Sequence, residues 1–222
     1  MIVAEPKPIK EILEMIEDFH KILVVGCKGC VTVCNVGGSK EVGILASTLR
    51  IAGRRAGKEL EVGEYTLERQ CDPEYVDELE ENISSYDAVI SIACGVGPQF
   101  LSERYPSKRI FPGVNTEFMG GAVAHGIWTE RCAGCGTCVV HYFGGLCPIA
   151  RCAKSLLNGP CGGSSGGKCE IAKDVDCIWD MIVRKLTQEN RLDDLLQFRP
   201  AKNWTTARDG GPRKLIREEL VK

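Results

Sequence analysis

The chain has 222 residues, 44% of them apolar, and its 28 basic and 30 acidic residues leave a formal net charge of −2. That length and apolar share allow one sizeable core or two modest ones without covalent staples, and the near-balance of charge removes any general electrostatic drive toward nucleic acid or an anionic membrane surface. No stretch approaches the roughly 20 apolar residues of a membrane span. The start, MIVAEPKPIKEILEMIEDF, places prolines and acids where a secretory leader needs a basic stretch and an uninterrupted apolar run. A cytoplasmic location is the expectation, and in that reducing setting thirteen cysteines favour metal ligation over a disulfide framework.

In chain order, Ile9, Ile12, Leu13, Ile16 and Phe19 fall at helical spacing after Pro8. The apolar run Lys21 to Val25 reads as a strand closed by Gly26. A second helix is expected from Ser39, a plausible N-cap, with Val42, Leu45, Leu49 and Ala52 on one face. The alternation continues with a strand near residues 60 to 66, a helix near 73 to 83, a strand over 88 to 93, a short helix near 99 to 105 and a strand at 109 to 111. Strands separated by helices predict an α/β fold, a small parallel doubly wound domain over residues 1 to 122.

From about Gly120 the character changes. Residues 132 to 177 hold eight of the thirteen cysteines among Gly-rich stretches such as GPCGGSSGGKC, and such a segment buries little apolar surface, so metal–thiolate bonds are the expected source of its order. A Cys-rich, metal-organised domain is therefore expected over residues 123 to 200, with a helix from about Asp174 to Leu186. The stretch 201 to 222, with Gly210, Gly211 and Pro212, reads as an extended tail.

Cys27, Cys30 and Cys34 form C-x2-C-x3-C directly after the first predicted strand, Cys71 follows the second, and Cys94 follows the third. In a parallel sheet the carboxyl ends share one edge, where open α/β sheets bind their ligands. A cluster takes four thiolates, which leaves one of the five spare; Cys27, on the strand end, and Cys71, set off by Glu68, Arg69 and Gln70, are the two considered.

Cys132, Cys135 and Cys138 form C-x2-C-x2-C, the spacing with which bacterial ferredoxins wrap three corners of a 4Fe-4S cubane. Eight residues then intervene before Cys147-Pro148, where ferredoxins have three, so the fourth ligand stays open. Cys152, Cys161, Cys169 and Cys177 complete the set, and their long spacers suit either another cluster or a tetrahedral zinc. His125 and His141 lie nearby and are read as non-ligands. Gly37-Gly38-Ser39 lacks a dinucleotide fingerprint and is read as the turn that leads the chain away from the first cysteines. Trp128 and Trp179 flank the Cys-rich segment and are expected to shield it from water. No Ser-His-Asp arrangement, HExxH motif or radical-enzyme Cys spacing is present, so no self-contained catalytic site is expected.

With these residues laid out, the chain resembles the small iron–sulfur subunit that accompanies the flavin-containing methylenetetrahydrofolate reductase of acetogenic bacteria, a family also known by its methylenetetrahydrofolate reductase C-terminal-type domain. The resemblance runs through VVGCKGCVTVCNVGGSKEV, ERQCDPE, SIACGVGPQ, CAGCGTC and CPIARCAKSLLNGPCGGSSGGKCEI. It implies two or three 4Fe-4S clusters, with one zinc as an alternative to a cluster, and a TIM-barrel partner subunit carrying FMN that reduces methylenetetrahydrofolate. The chain would pass that flavin electrons from a donor protein, in the methyl branch of the Wood–Ljungdahl pathway. Its implied ligands are Cys27, Cys30, Cys34, Cys71, Cys94, Cys132, Cys135, Cys138, Cys147, Cys152, Cys161, Cys169 and Cys177. The competing readings are a zinc-organised scaffold subunit and an accessory iron–sulfur protein of corrinoid or carbon-monoxide chemistry.

Overall fold

The computed structural model describes residues 1–221. The chain forms two compact units, Met1–Thr129 and Glu130–Lys222.

The first unit is a mixed α/β structure. Strands β2 (Lys21–Cys27), β3 (Glu61–Leu67), β4 (Ala88–Ser91) and β5 (Arg109–Pro112) form a parallel sheet in the order β3-β2-β4-β5. Side chains alternate across β2 and β4, which decides what each face packs against. Ile22, Val24, Ala88 and Ile90 face α1 (Ile9–Met15) and α3 (Ser39–Arg55) through Ile12, Val42, Ala46 and Leu49. Leu23, Val25 and Val89 face the opposite layer, made by α4 (Pro73–Val76), α5 (Glu80–Ile83) and α6 (Val96–Arg104), through Val76, Leu79, Ile83 and Leu101. Both faces are covered, which accounts for the continuous apolar runs of these strands.

Several local expectations are corrected. The first helix ends at Met15, short of Phe19. The helix predicted from residue 73 to 83 is broken, α4 and α5 being joined by a 3-10 turn at Asp77–Leu79. The residue before α3 is Gly38, not Ser39, and its backbone N–H is held by the Glu41 carboxylate at 3.0 Å. A second sheet was not expected at all. It joins β1 (Ile2–Pro6), β6 (Val114–Ala124) and β7 (Ile127–Cys132) in the order β1-β6-β7, with β1 antiparallel to β6 and Ile2 opposite Met119. β6 carries Gly120 and Gly121 and alternates poorly, so it lacks the periodic signal that marks a strand.

The second unit has one buried cluster, Phe143, Ile178, Trp179, Ile182 and Leu186. Four of these five lie on one face of α8 (Ile178–Gln188), and Phe143 packs edge-on against Trp179 with centroids 5.5 Å apart. α8 starts four residues after Asp174 because Asp176 still pairs with Lys168 in a short antiparallel bridge. A second antiparallel bridge, Ser165 to Lys168, is turned by Gly166 and Gly167, both at positive φ (57° and 79°), the backbone a two-residue hairpin turn demands. Helix α7 (Pro148–Arg151) is a single turn with Cys147 at its N-cap. Among the described residues no helix is long and apolar enough to cross a membrane.

Candidate metal centres

The first group of thiols is assembled by the parallel sheet. Cys27 is the last residue of β2, Cys94 follows β4, and these two neighbouring strands are the ones from which the chain departs in opposite directions to β3 and β5. Such a point opens a crevice at the carboxyl edge. Cys30 begins the single-turn helix α2 (Cys30–Val33), and Cys71 precedes the Asp72 N-cap of α4. The four sulfurs share one electrostatic neighbourhood: burial pushes the Cys94 thiol up, the Val96 backbone opposes this, and the thiols of Cys27, Cys30 and Cys71 add to the upward shift.

Cys34 differs from the other four in its surroundings. Its sulfur is buried and turned back on its own turn, 3.6 Å from the Val31 carbonyl and 3.7 Å from that of Cys30. Desolvation pushes this thiol up, as expected for a small buried apolar side chain.

Two polar residues that the sequence reading passed over fix this edge. Gln70, 1% exposed, donates from Nε2 to the carbonyls of Val25 and Gly26, both at 2.9 Å, and its Oε1 accepts from the Ser91 hydroxyl at 2.6 Å. One side chain thereby ties the Cys71 loop to the ends of β2 and β4. The signal was a glutamine next to a cysteine, which has no periodicity to reveal it. Gly37 acts as the predicted turn: its carbonyl accepts the Cys27 N–H at 2.8 Å, and a Cβ there would collide with the Ile92 carbonyl.

The third group is gathered equally clearly. Cys152, Cys161, Cys169 and Cys177 all line one enclosed cavity of about 20 Å³, together with Arg151, Lys154, Glu170 and Trp179. The Gly166-Gly167 hairpin places two of them, since Cys169 N–H bonds the Val175 carbonyl at 2.9 Å and Cys177 N–H bonds that of Gly167 at 2.8 Å. Lys154 pairs with Glu170, which lies 3.6 Å from the Cys161 sulfur, and Arg151 is half-buried, its guanidinium lowered by desolvation and by Arg131. Cations beside four thiols suit a group whose bound form carries net negative charge.

The middle group sits on a more open loop. Cys132 and Cys138 are exposed, Cys135 and Cys147 half-buried. The tail, expected to be merely extended, folds in short 3-10 turns against this loop: Lys202 Nζ donates to the Thr137 carbonyl, Thr206 Oγ1 to that of Cys135 and Arg213 to that of Gly134, each at 3.0 Å. His125 is exposed, and the His141 ring lies against that of Tyr142, tilted by 44° with centroids 3.8 Å apart.

One feature recurs once in each group. The sequence contains three Cys-x-Gly triplets, and in all three the glycine N–H donates to the cysteine sulfur at 3.4 Å: Gly29 to Cys27, Gly134 to Cys132 and Gly163 to Cys161. Backbone donors of this kind orient a sulfur and hydrogen-bond it when it serves as a ligand. Among the described residues no three Cys, His, Asp or Glu side chains stand close enough to grip a single ion. Four thiols are the donor set of a four-iron cluster and equally of a tetrahedral zinc.

Residues 111–205 match the family model described as "Methylene-tetrahydrofolate reductase C terminal". Over that segment the resemblance read from the sequence stands. The match takes in the middle and third cysteine groups and much of the tail, while the first group lies outside it. Comparison with curated proteins and with solved structures yields no match. The segment similar to that family thus coincides with the region that holds eight of the thirteen cysteines.

Proposed function

We propose that this chain is an iron–sulfur electron-transfer subunit that delivers electrons to the FMN of a partner methylenetetrahydrofolate reductase subunit. The observation that carries this reading is the gathering of Cys152, Cys161, Cys169 and Cys177 on one cavity within the segment similar to that reductase family. Cys27, Cys30, Cys71 and Cys94 form a second set of four, and Cys132, Cys135, Cys138 and Cys147 a third, with Cys34 outside all three. A bound 4Fe-4S cluster supplies reversible one-electron chemistry.

The chain's own residues set the conditions. Gly29, Gly134 and Gly163 each give one sulfur a backbone donor, which stabilises negative charge there. Gln70 and Ser91 hold the Cys71 loop against the strand ends, so the first set of thiols is preorganised. Trp179 and Ile178 close the apolar side of the third site to water, and Arg151 and Lys154 offset the charge of its thiolates. The similarity of residues 111–205 to the family described as methylene-tetrahydrofolate reductase C terminal supports a flavin-containing reductase subunit as the partner.

Anaerobic purification of the full chain, followed by iron, zinc and acid-labile sulfide analysis and electron paramagnetic resonance after dithionite, tests the reading. Brown protein with sulfide matching iron and a reducible signal is expected. Colourless protein holding only zinc would replace electron transfer with a scaffold role. Co-purification with a corrinoid protein instead of a flavoprotein would reassign the pathway.

A further inference from the structure

We propose that the indole N–H of Trp179 donates a hydrogen bond to a sulfur of the cluster held by Cys152, Cys161, Cys169 and Cys177, and thereby raises the potential of that centre. This rests on the reading of those four thiols as a cluster site. Trp179 lines the same cavity as the four cysteines and is 1% exposed. Its Nε1 is buried and meets no acceptor among the described residues. An indole nitrogen only donates, and a buried donor left unpaired costs about 1–3 kcal/mol, so such orphans call for a partner that the protein chain itself does not provide.

The neighbourhood narrows what that partner is. The rest of the buried face of α8, Ile178, Ile182 and Leu186, is aliphatic, and Phe143 meets the indole edge-on. Apolar packing asks for no N–H, and the indole N–H is the one polar side-chain atom on this buried face. The cavity wall also carries Ser164, the Glu170 carboxylate, which Lys154 already pairs, and the four thiols, and sulfur in a reduced cluster is an anionic acceptor. A donor to it stabilises the extra electron more than the oxidised state, which shifts the potential upward. Trp179 is accordingly a positioning residue for charge and holds no metal itself.

The experiment uses the full-length chain, purified anaerobically and reconstituted with ferrous iron and sulfide. Cys161→Ala identifies which resonance signal belongs to this site, and Trp179→Phe keeps the ring packing while deleting the donor. The expected result is unchanged iron and sulfide in Trp179→Phe, a lower midpoint potential for that one signal and loss of a solvent-exchangeable proton coupling that wild type shows at it. The coupling is read in wild type alone, by proton double resonance before and after exchange into deuterated buffer, so it stands even where the variant folds poorly. An unchanged potential with no exchangeable coupling in wild type would overturn the hydrogen bond and leave the cluster in place. Equal iron and sulfide in wild type and Cys161→Ala would remove the cluster from these thiols, and the inference with it.

Discussion

The two units place cysteines by different means. In the first, β2 and β4 are fully buried, with helices on both faces, and Cys27 and Cys94 lie at strand ends whose positions the apolar core already dictates. In the second, five side chains make up the buried cluster, and Cys161 and Cys169 sit among glycines with no regular element to hold them. Burying a large apolar side chain contributes roughly 1.5–3 kcal/mol, while fixing each residue's backbone costs about 1–2 kcal/mol. Five such side chains cannot order some ninety residues, whereas a core on two faces of a sheet can order the first unit. On the proposed reading, metal is therefore an addition to one unit and a condition of the other.

The largest expected effect follows directly. Removing metal from the anaerobic protein with a chelator should unfold the second unit selectively, because structural metal–thiolate sites supply on the order of 10 kcal/mol of folding free energy. Amide hydrogen exchange on the intact chain reads this: protection in α8 should vanish while protection in β2 and β4 persists. Equal loss in both units, or in neither, would erase the contrast.

Next in size come ligand substitutions in the unit that folds without metal. Cys94→Ser should remove one cluster's iron from the first unit and leave the second unit's centres intact, whereas Cys34→Ser, whose sulfur is buried and turned toward the carbonyls of its own helical turn, should change no iron content. Metal analysis of the two variants beside wild type decides it. Iron lost from Cys34→Ser but not from Cys94→Ser would return the first site to the alternatives left open by spacing alone.

The parallel sheet was legible because buried strands are long apolar runs and the helices between them keep a 3.6-residue period. The cysteines at its edge followed from topology. What spacing could not tell was how the five thiols differ in surroundings, since a single helical turn separates the buried Cys34 sulfur from the half-buried Cys30. The second sheet escaped because β6 is exposed along much of its length and carries glycines. In the Cys-rich unit the groups were visible as counts, but the cavity that joins Cys152 to Cys177 depends on Gly166 and Gly167 adopting positive φ. The tail's attachment to the Cys135 loop escaped as well: it runs through backbone carbonyls, which leave no mark in sequence.

Gln70 gives a smaller, sharper test of preorganisation. Gln70→Ala leaves the Ser91 hydroxyl and the Val25 and Gly26 carbonyls without their buried partner, at a cost of about 1–3 kcal/mol. Urea denaturation of the metal-free chain should show this loss in the first unit alone. The same variant should take up iron at the first site more slowly, since the Cys71 loop is no longer tied to the strand ends. A stability unchanged within error would mean that the edge is held by the strands and needs no clamp.

The smallest effect lies at the opposite, amino edge of the same sheet, where no metal is involved. The Asp87 carboxylate accepts the backbone N–H of Lys21 at 2.8 Å and of His20 at 3.1 Å, and these bonds, the Lys21 one foremost, hold its pKa below the usual 3.8. A depressed carboxylate pKa means that the folded state binds its proton less readily than the unfolded chain, so the contribution to stability is complete above about pH 5 and fades as the pH falls below the ordinary carboxylate range. Asp87→Asn keeps an oxygen acceptor and loses the titration. The variant should therefore show a flatter decline in first-unit stability between about pH 5 and pH 3 than wild type, measured by urea midpoints on metal-free protein. Because Asp87 is exposed, the difference should be slight, and identical pH profiles would mean that the start of β2 is fixed by its pairing with Glu61 and Ala88 neighbours alone.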